Sequence, residues 1–409
     1  MNADEMGATI RLGGHIFAGA ASKVEGVHRA VAGRAFGASG ATSAPARTLH
    51  DHIAGAVYSG LRVGGLAAGA VAGEVFSRVL PPSESAGTTP LGNQALAVLN
   101  GLAGHRLEGD LAALTIPMAA RVGGRDVNLT PLDVAVAFPD ATSKLAVFVH
   151  GLAETENLWT PKVGAENEVG YGPLLNTELG YTPIYIRYNT GRHVSENGRS
   201  LGRLLGDLVR AWPVPADELV LLGHSMGGLV VRSACHYGAD EEQAWVPLVR
   251  HIVYLGTPHL GAPLAKAAGL AGWTLSRLPE TRPFASLVNG SSDGVKDLRF
   301  GYLLEEDWSG CDPDNCRRDH RHEVPLLESA NHYVISATIT SDPDSPLGAV
   351  VGDLLVKPAS AHGRRRRRQH IPFLIEHGRS LGGLTHFRLV NHPEVWAQIR
   401  ALLQPHRDR

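Results

Sequence analysis

The stretch "LVLLGHSMGGLVVRSAC", Leu219 to Cys235, limits what this chain can fold into more than any other. Four apolar residues in succession, Leu219 to Leu222, read as a strand buried on both faces, as in the interior of a parallel sheet. The small cluster Gly223-His224-Ser225-Met226-Gly227 follows at once. Apolar residues then return at Leu229, Val230, Val231 and Ala234 with the spacing of a helix that starts near Met226. A strand that becomes a helix within so few residues leaves little room at the corner, and the glycines two residues to either side of Ser225 supply it. In this setting G-x-S-x-G is a nucleophile elbow. The serine occupies a strained turn and presents its hydroxyl at the carboxyl end of the sheet, beside a helix N-terminus whose free N–H groups favour developing negative charge.

From about Ile116 onward the chain provides neighbours for such a strand. "MAARVGGRDVNL" and "VAVAF" read as an antiparallel start. "KLAVFVHG", "TPIYIRYN", "RHIVYLGTP" and "HYVISATIT" read as further strands, with "SENGRSLGRLLGDLVRAW" as a helix between two of them. This alternation predicts an α/β fold, a mostly parallel central sheet with helices on both faces. One connection is too long for a crossover: about seventy residues separate "VYLGTP" from "HYVISATIT". The segment from about 262 to 330 is therefore expected to be an inserted helical cap over the active site, with Trp273 and Leu275 among the side chains facing substrate. Residues 1–112 differ in kind from 113–409. They are rich in Ala and Gly, and Ile53, Val57, Leu61, Val71, Val75 and Val79 recur with helical spacing. An α-helical N-terminal region is expected there, its small residues serving close helix packing or contact with a membrane or partner.

A serine hydroxyl attacks only when a base takes its proton, and the base needs an acid to hold its tautomer. Around an elbow of this type the order along the chain is serine, acid, histidine. "VVGDLLVKPASA" places Asp353 in a loop beyond a late strand; Asp342 and Asp344, in the turn-like "SDPDSP", compete with it. Of the histidines that follow, His386 precedes a terminal helix beginning at Pro393 and stands behind Gly382-Gly383. His392 is the alternative, with Asn391 or His392 also suited to cap that helix. The amide of Met226, next to the serine, and that of Leu152, after "VFVHG", are the expected oxyanion donors. His150 is read as a structural hydrogen-bonding residue.

"FVHG", "GHSMGGLVVR", "LGTPHLGAPLA", "GDLLVKPASA" and "THFRLVNHPEVWAQI" together resemble lipase-like α/β-hydrolases, including bacterial triacylglycerol lipases and GPI inositol-deacylase-like esterases. The likeness extends over about Lys144 to Leu403. It implies the α/β-hydrolase fold, ester hydrolysis through an acyl-enzyme, a Ser225, Asp353, His386 triad, an oxyanion hole at Leu152 and Met226, and "GTPH" leading into the cap.

Other features bound the partners. A formal net charge of −2 gives no global field for nucleic acid, and no phosphate-cradling glycine motif follows a strand, so no cofactor is expected. Three cysteines, Cys235, Cys311 and Cys316, make no disulfide framework. Cys311, Cys316, His320 and His322 cluster without a common zinc spacing and read as a polar loop, so no metal is expected. The run Arg364 to Arg368 reads as a solvated loop, with peripheral docking to an anionic membrane as the sharper alternative. Acidic residues near the N-terminus stand where a secretory leader carries basic ones, and Ile53 to Gly73 is interrupted by Arg62, so a cytoplasmic location is expected. The composite reading is a serine hydrolase acting on a small-molecule ester or lipid. An acyltransferase with the same triad and a non-catalytic hydrolase-fold binding protein are its rivals.

Overall fold

A computed structural model describes residues 2–38, 44–79, 90–107, 109–161, 168–262, 292–310, 319–365 and 368–404. Eight strands form one sheet: β1 (Ala119–Val122), β2 (Arg125–Asp126), β3 (Lys144–Val149), β4 (Tyr181–Arg187), β5 (Glu218–His224), β6 (Val249–Leu255), β7 (Asn331–Thr338) and, after the small β8 (Arg364–Arg365) and β9 (Arg368–Gln369), β10 (Gly378–Gly382). Their spatial order is β10-β7-β6-β5-β3-β4-β1-β2. All pairings from β10 to β4 are parallel, and β1 is antiparallel to both β4 and β2. The uninterrupted apolar character of the central strands has the cause inferred from sequence, burial on both faces. Leu145, Val147, Val149, Leu219 and Leu221 enter one core with Leu229, Val230 and Leu205. Their alternates Ala146, Phe148, Val220 and Leu222 enter another with Tyr171, Val395, Trp396 and Ile399. The sheet is thus the middle layer of an α/β-hydrolase fold.

The first core is closed by α6 (Val194–Ala211) and α7 (Met226–Asp240), the second by α5 (Tyr171–Leu179) and the terminal helix Pro393–Leu403. "VAVAF" is a correction: Val134–Ala137 belong to α4, Pro131–Ala137, with Phe138 at its C-cap, and not to a strand. The Thr130 hydroxyl accepts from Asp133 N–H at 3.2 Å and Pro131 opens the helix, a start signal that outweighs the Val/Ala alternation. His392 caps the terminal helix, its ring accepting from Glu394 N–H at 3.3 Å.

The chain divides into two compact units. One contains α1 (Ala3–Ala38), α2 (Ala44–Val79), the start of α3 (Pro90–Ala103) and the 3-10 turns of Gly109–Leu114. Here α1 and α2 pack closely along glycine: a side chain at Gly69 would stand 3.0 Å from Gly14 Cα, and one at Gly65 would strike the Phe17 ring. Glu25 on α1 pairs with Arg62 on α2. Among the described residues no helix is long and apolar enough to cross a membrane. The other unit holds the sheet and its helices. Within it the described part of the long β6–β7 connection is tied to α6 and α7: Ser233 Oγ donates to Leu303 O at 2.7 Å, and Asp297 accepts from Val194 N–H at 2.7 Å.

Candidate active site

Five connections at the carboxyl edge of the sheet bring the predicted residues into one neighbourhood. Ser225 sits between β5 and α7 with φ 52°, a left-handed conformation costly for a residue with a Cβ. The corner needs both glycines for space. A Cβ on Gly223 would lie 2.5 Å from Gly228 Cα, and one on Gly227 would lie 2.3 Å from Val149 O. Ser225 N–H donates to Leu255 O at 2.8 Å, which ties the elbow to the end of β6. Its hydroxyl makes no hydrogen bond with any described residue.

Asp353 follows β7 and is 1% exposed; Asp342 and Asp344 are exposed surface residues. Asp353 Oδ1 accepts from Leu355 N–H at 3.0 Å and Val356 N–H at 2.7 Å. Oδ2 is 2.7 Å from Nδ1 of His386, itself 2% exposed. The His386 N–H also donates to Asp353 O at 3.0 Å, so backbone as well as side chain joins the two loops. The imidazole lies over Gly256, where an added Cβ would stand 3.1 Å from both Nδ1 and Cε1. Ser225 and His386 therefore flank the same step of chain, Leu255–Gly256. With Nδ1 engaged by a carboxylate, His386 Nε2 is the nitrogen left to accept a proton.

Gly151 and Leu152 stand on the other side of the serine. A Cβ on Gly151 would lie 2.9 Å from Ser225 Cβ. Gly151 O accepts from His150 Nδ1 at 2.9 Å and from Glu154 N–H at 3.3 Å. In a trans peptide the C=O and the following N–H point in opposite directions. With the Gly151 carbonyl held by these two donors, the Leu152 N–H faces away from them, and no described residue accepts from it. Met226 is the first residue of α7, and its N–H is one of the unpaired amides at the helix's positive end.

Two residues that the sequence reading did not single out lie directly against this site. Glu154 Oε2 accepts from Gly151 N–H at 2.6 Å and faces His224 Nδ1 at 3.0 Å. His224 Nε2 is 3.3 Å from the carbonyl oxygen of His386. Burial favours the neutral form of each, but the opposite charge and the hydrogen bonds prevail, holding Glu154 below the usual carboxylate range and His224 above the usual imidazole range. One sequence signal existed: His224 ends a strand with no polar residue from Leu219 onward, which marks it as buried.

Other expectations fall elsewhere. Trp273, Leu275, Cys311 and Cys316 lie outside the described residues. His322 Nδ1 is paired with Asp307 Oδ1 at 2.9 Å, and among the described residues no group of three His, Cys, Asp or Glu side chains could hold a metal ion. Arg364–Arg365 and Arg368–Gln369 form an antiparallel pair, with Arg366 and Arg367 outside the described residues. A cavity of about 610 Å³ opens at the β1–β4 edge between Arg121, Glu156, Asn176 and Tyr185, and Ser225 does not line it.

Residues 190–273 match the family model described as the PGAP1-like alpha/beta domain. No curated protein matches the chain. Among solved structures, the mature lipase BlEst2 of Bacillus licheniformis is 20% identical over 64% of this chain and 92% of its own, with a TM-score of 0.41. An esterase from Pyrobaculum calidifontis is 14% identical over 64% and 75%, with a TM-score of 0.36. The phospholipase PlaB of Legionella pneumophila is 16% identical over 65% and 59%, also at 0.36. The sheet order and the strand-to-helix elbow give this unit an α/β-hydrolase fold, and its residues 190–273 are similar to the PGAP1-like alpha/beta domain.

Proposed function

We propose that the chain is a serine hydrolase that cleaves carboxylic esters through an acyl-enzyme. The observation that carries this reading is the buried Asp353–His386 pair held against Gly256, next to a serine in a strained strand-to-helix corner. Ser225 Oγ attacks the ester carbonyl while its proton passes to His386 Nε2. The Asp353 carboxylate fixes the Nδ1–H tautomer and stabilises the imidazolium that forms. The oxyanion of the tetrahedral adduct accepts from the Leu152 and Met226 amides; one such donor is commonly worth about 10²–10³ in kcat. The adduct collapses as the alcohol leaves with the proton from His386. Water then gives its proton to the same nitrogen, attacks the acyl group and returns the Ser225 hydroxyl together with the free acid.

Ester hydrolysis by the whole chain tests this, with p-nitrophenyl esters of rising chain length as substrates. Ser225→Ala is expected to lower kcat by several orders of magnitude with the circular dichroism spectrum unchanged. A fluorophosphonate probe is expected to label Ser225 in the wild type and nothing in the variant. Near-full hydrolysis by Ser225→Ala, or a label mapped to another residue, would overturn the reading.

A further inference from the structure

The mechanism above makes no use of Glu154 and His224, yet they touch each of its three segments. Glu154 contacts the turn that carries Leu152, His224 directly precedes the nucleophile, and the far side of the His224 ring meets the backbone of His386. His224 is fully buried and Glu154 nearly so. With an ionised carboxylate at Nδ1 and a carbonyl at Nε2, the ring meets two acceptors, and the doubly protonated imidazole is the form that satisfies both. A buried cation needs a counter-charge in contact with it. The titratable groups around the pair are few: the His386 ring, centred 4.8 Å from that of His224, Asp353 behind it, and His150 with the Tyr188 phenol stacked on it on the Glu154 side. Only Glu154 touches His224 as an anion.

We propose that Glu154 and a positively charged His224 are positioning residues, one ion pair that holds the Leu152 turn, the Ser225 elbow and the His386 loop in mutual register; this rests on the esterase reading of the site. At one end the carboxylate grips Gly151 N–H, and the glutamate's own N–H helps to fix the Gly151 carbonyl, which together set the direction of the Leu152 amide. At the other end the imidazolium grips the carbonyl of His386, the residue whose own side chain is the base. The contacts of the Leu152 amide and of His386 with substrate strengthen in the transition state. Loosening them costs kcat and leaves ground-state binding in place.

The experiment has two readouts on the full-length chain. In histidine-selective ¹⁵N-labelled protein, two-bond ¹H–¹⁵N spectra report the protonation of both ring nitrogens, with His224 assigned by the signal missing from His224→Gln. We expect His224 doubly protonated at pH 7.5 in the wild type and neutral in Glu154→Gln, which keeps an acceptor for Gly151 N–H at nearly unchanged volume. In p-nitrophenyl butyrate hydrolysis, Glu154→Gln and His224→Gln are each expected to lower kcat at least about tenfold with KM within about twofold. The double variant is expected to be little worse than the poorer single one, because one pair is removed in all three. A neutral His224 in the wild type, wild-type kcat in either folded variant, an effect confined to KM, or loss of the native circular dichroism spectrum in both variants overturns the proposal. A wild type that hydrolyses no ester would overturn the esterase reading, while the protonation of His224 would still be decided by the spectra.

Discussion

Asp353→Asn separates the tautomer-fixing role of the acid from its structural one, and the structure says which way the new amide will turn. An asparagine has one acceptor oxygen for two places. At the Oδ1 place it meets the N–H groups of Leu355 and Val356, at 3.0 and 2.7 Å, and at the Oδ2 place it meets His386 Nδ1 at 2.7 Å. Putting the NH₂ group towards the two backbone donors would leave both unsatisfied in a buried loop, at about 1–3 kcal/mol each. The oxygen therefore stays with the backbone and the NH₂ faces His386. Nδ1 must then accept, the ring proton moves to Nε2, and the nitrogen that should take the Ser225 proton already carries one. Loss of the correct tautomer is worth about 10⁴ in kcat, or about 5.4 kcal/mol of barrier at 1.36 kcal/mol per decade. The fold should survive, since each hydrogen bond keeps a donor and an acceptor. Asp353→Ala would not test the point so cleanly, because it strands the Leu355 and Val356 amides. The assay is p-nitrophenyl butyrate hydrolysis by Asp353→Asn beside Asp342→Asn and Asp344→Asn, with melting temperature as control. The exposed pair should retain wild-type kcat. If Asp353→Asn kept more than about a tenth of it, or if one of the other two were the crippled variant, the assignment of the acid would be wrong.

Gly256→Ala places a Cβ 2.8 Å from Leu389 Cδ1 and 3.1 Å from His386 Nδ1 at φ 59°, so it should cost about 1–2 kcal/mol in backbone strain and about tenfold to a hundredfold in kcat as the imidazole shifts; wild-type kcat would show that His386 is not held there. Leu354→Gly should do the opposite to stability. Its φ is 85° and its side chain is 59% exposed, so glycine relieves strain with little loss of packing, and the melting temperature should rise by about 2 °C; a fall would refute this. The Glu154–His224 pair should give the stability curve two edges. Glu154, lowered on folding, contributes fully above its ordinary value of 4.5 and loses that contribution as the pH falls through its folded value. His224, raised on folding, contributes fully below its ordinary 6.5 and loses it as the pH rises through its folded value. The melting temperature of the wild type relative to Glu154→Gln/His224→Gln should therefore be highest between these limits; a difference that stays flat from about pH 3 to 9 would contradict both shifts.

What could be read from the sequence was whatever is written locally. Leu219 to Leu222 and Leu145 to Val149 are apolar at every position because the sheet is covered on both sides, and that signal needs no partner to be seen. The elbow is equally local, since Gly223 and Gly227 are required by contacts within a few ångströms of Ser225. "VAVAF" misled because alternating Val and Ala satisfies a strand's period by accident, while the information that decides it, Thr130-Pro131-Leu132-Asp133, lies just upstream as a cap. Asp342, Asp344 and Asp353, and likewise His386 and His392, differ in burial and in what each side chain already bonds. Spacing carries neither, whereas the structure shows a solvated turn, a helix cap and one buried pair.

Glu154 and His224 belong to a third kind of information. They lie seventy residues apart, and each alone reads as ordinary, a glutamate after a glycine turn and a histidine before a serine. Only parallel pairing of β3 with β5, in which Val149 lies beside Gly223, sends the two connections out of the sheet side by side and puts the carboxylate on the ring. The cost of burying two charges explains why the pairing has to be close, and its place among the Leu152 turn, the elbow and the His386 loop explains why such a costly arrangement can be useful there. If register is what the pair supplies, damage to it should appear in kcat, where tenths of an ångström count, well before it appears in whether the chain folds.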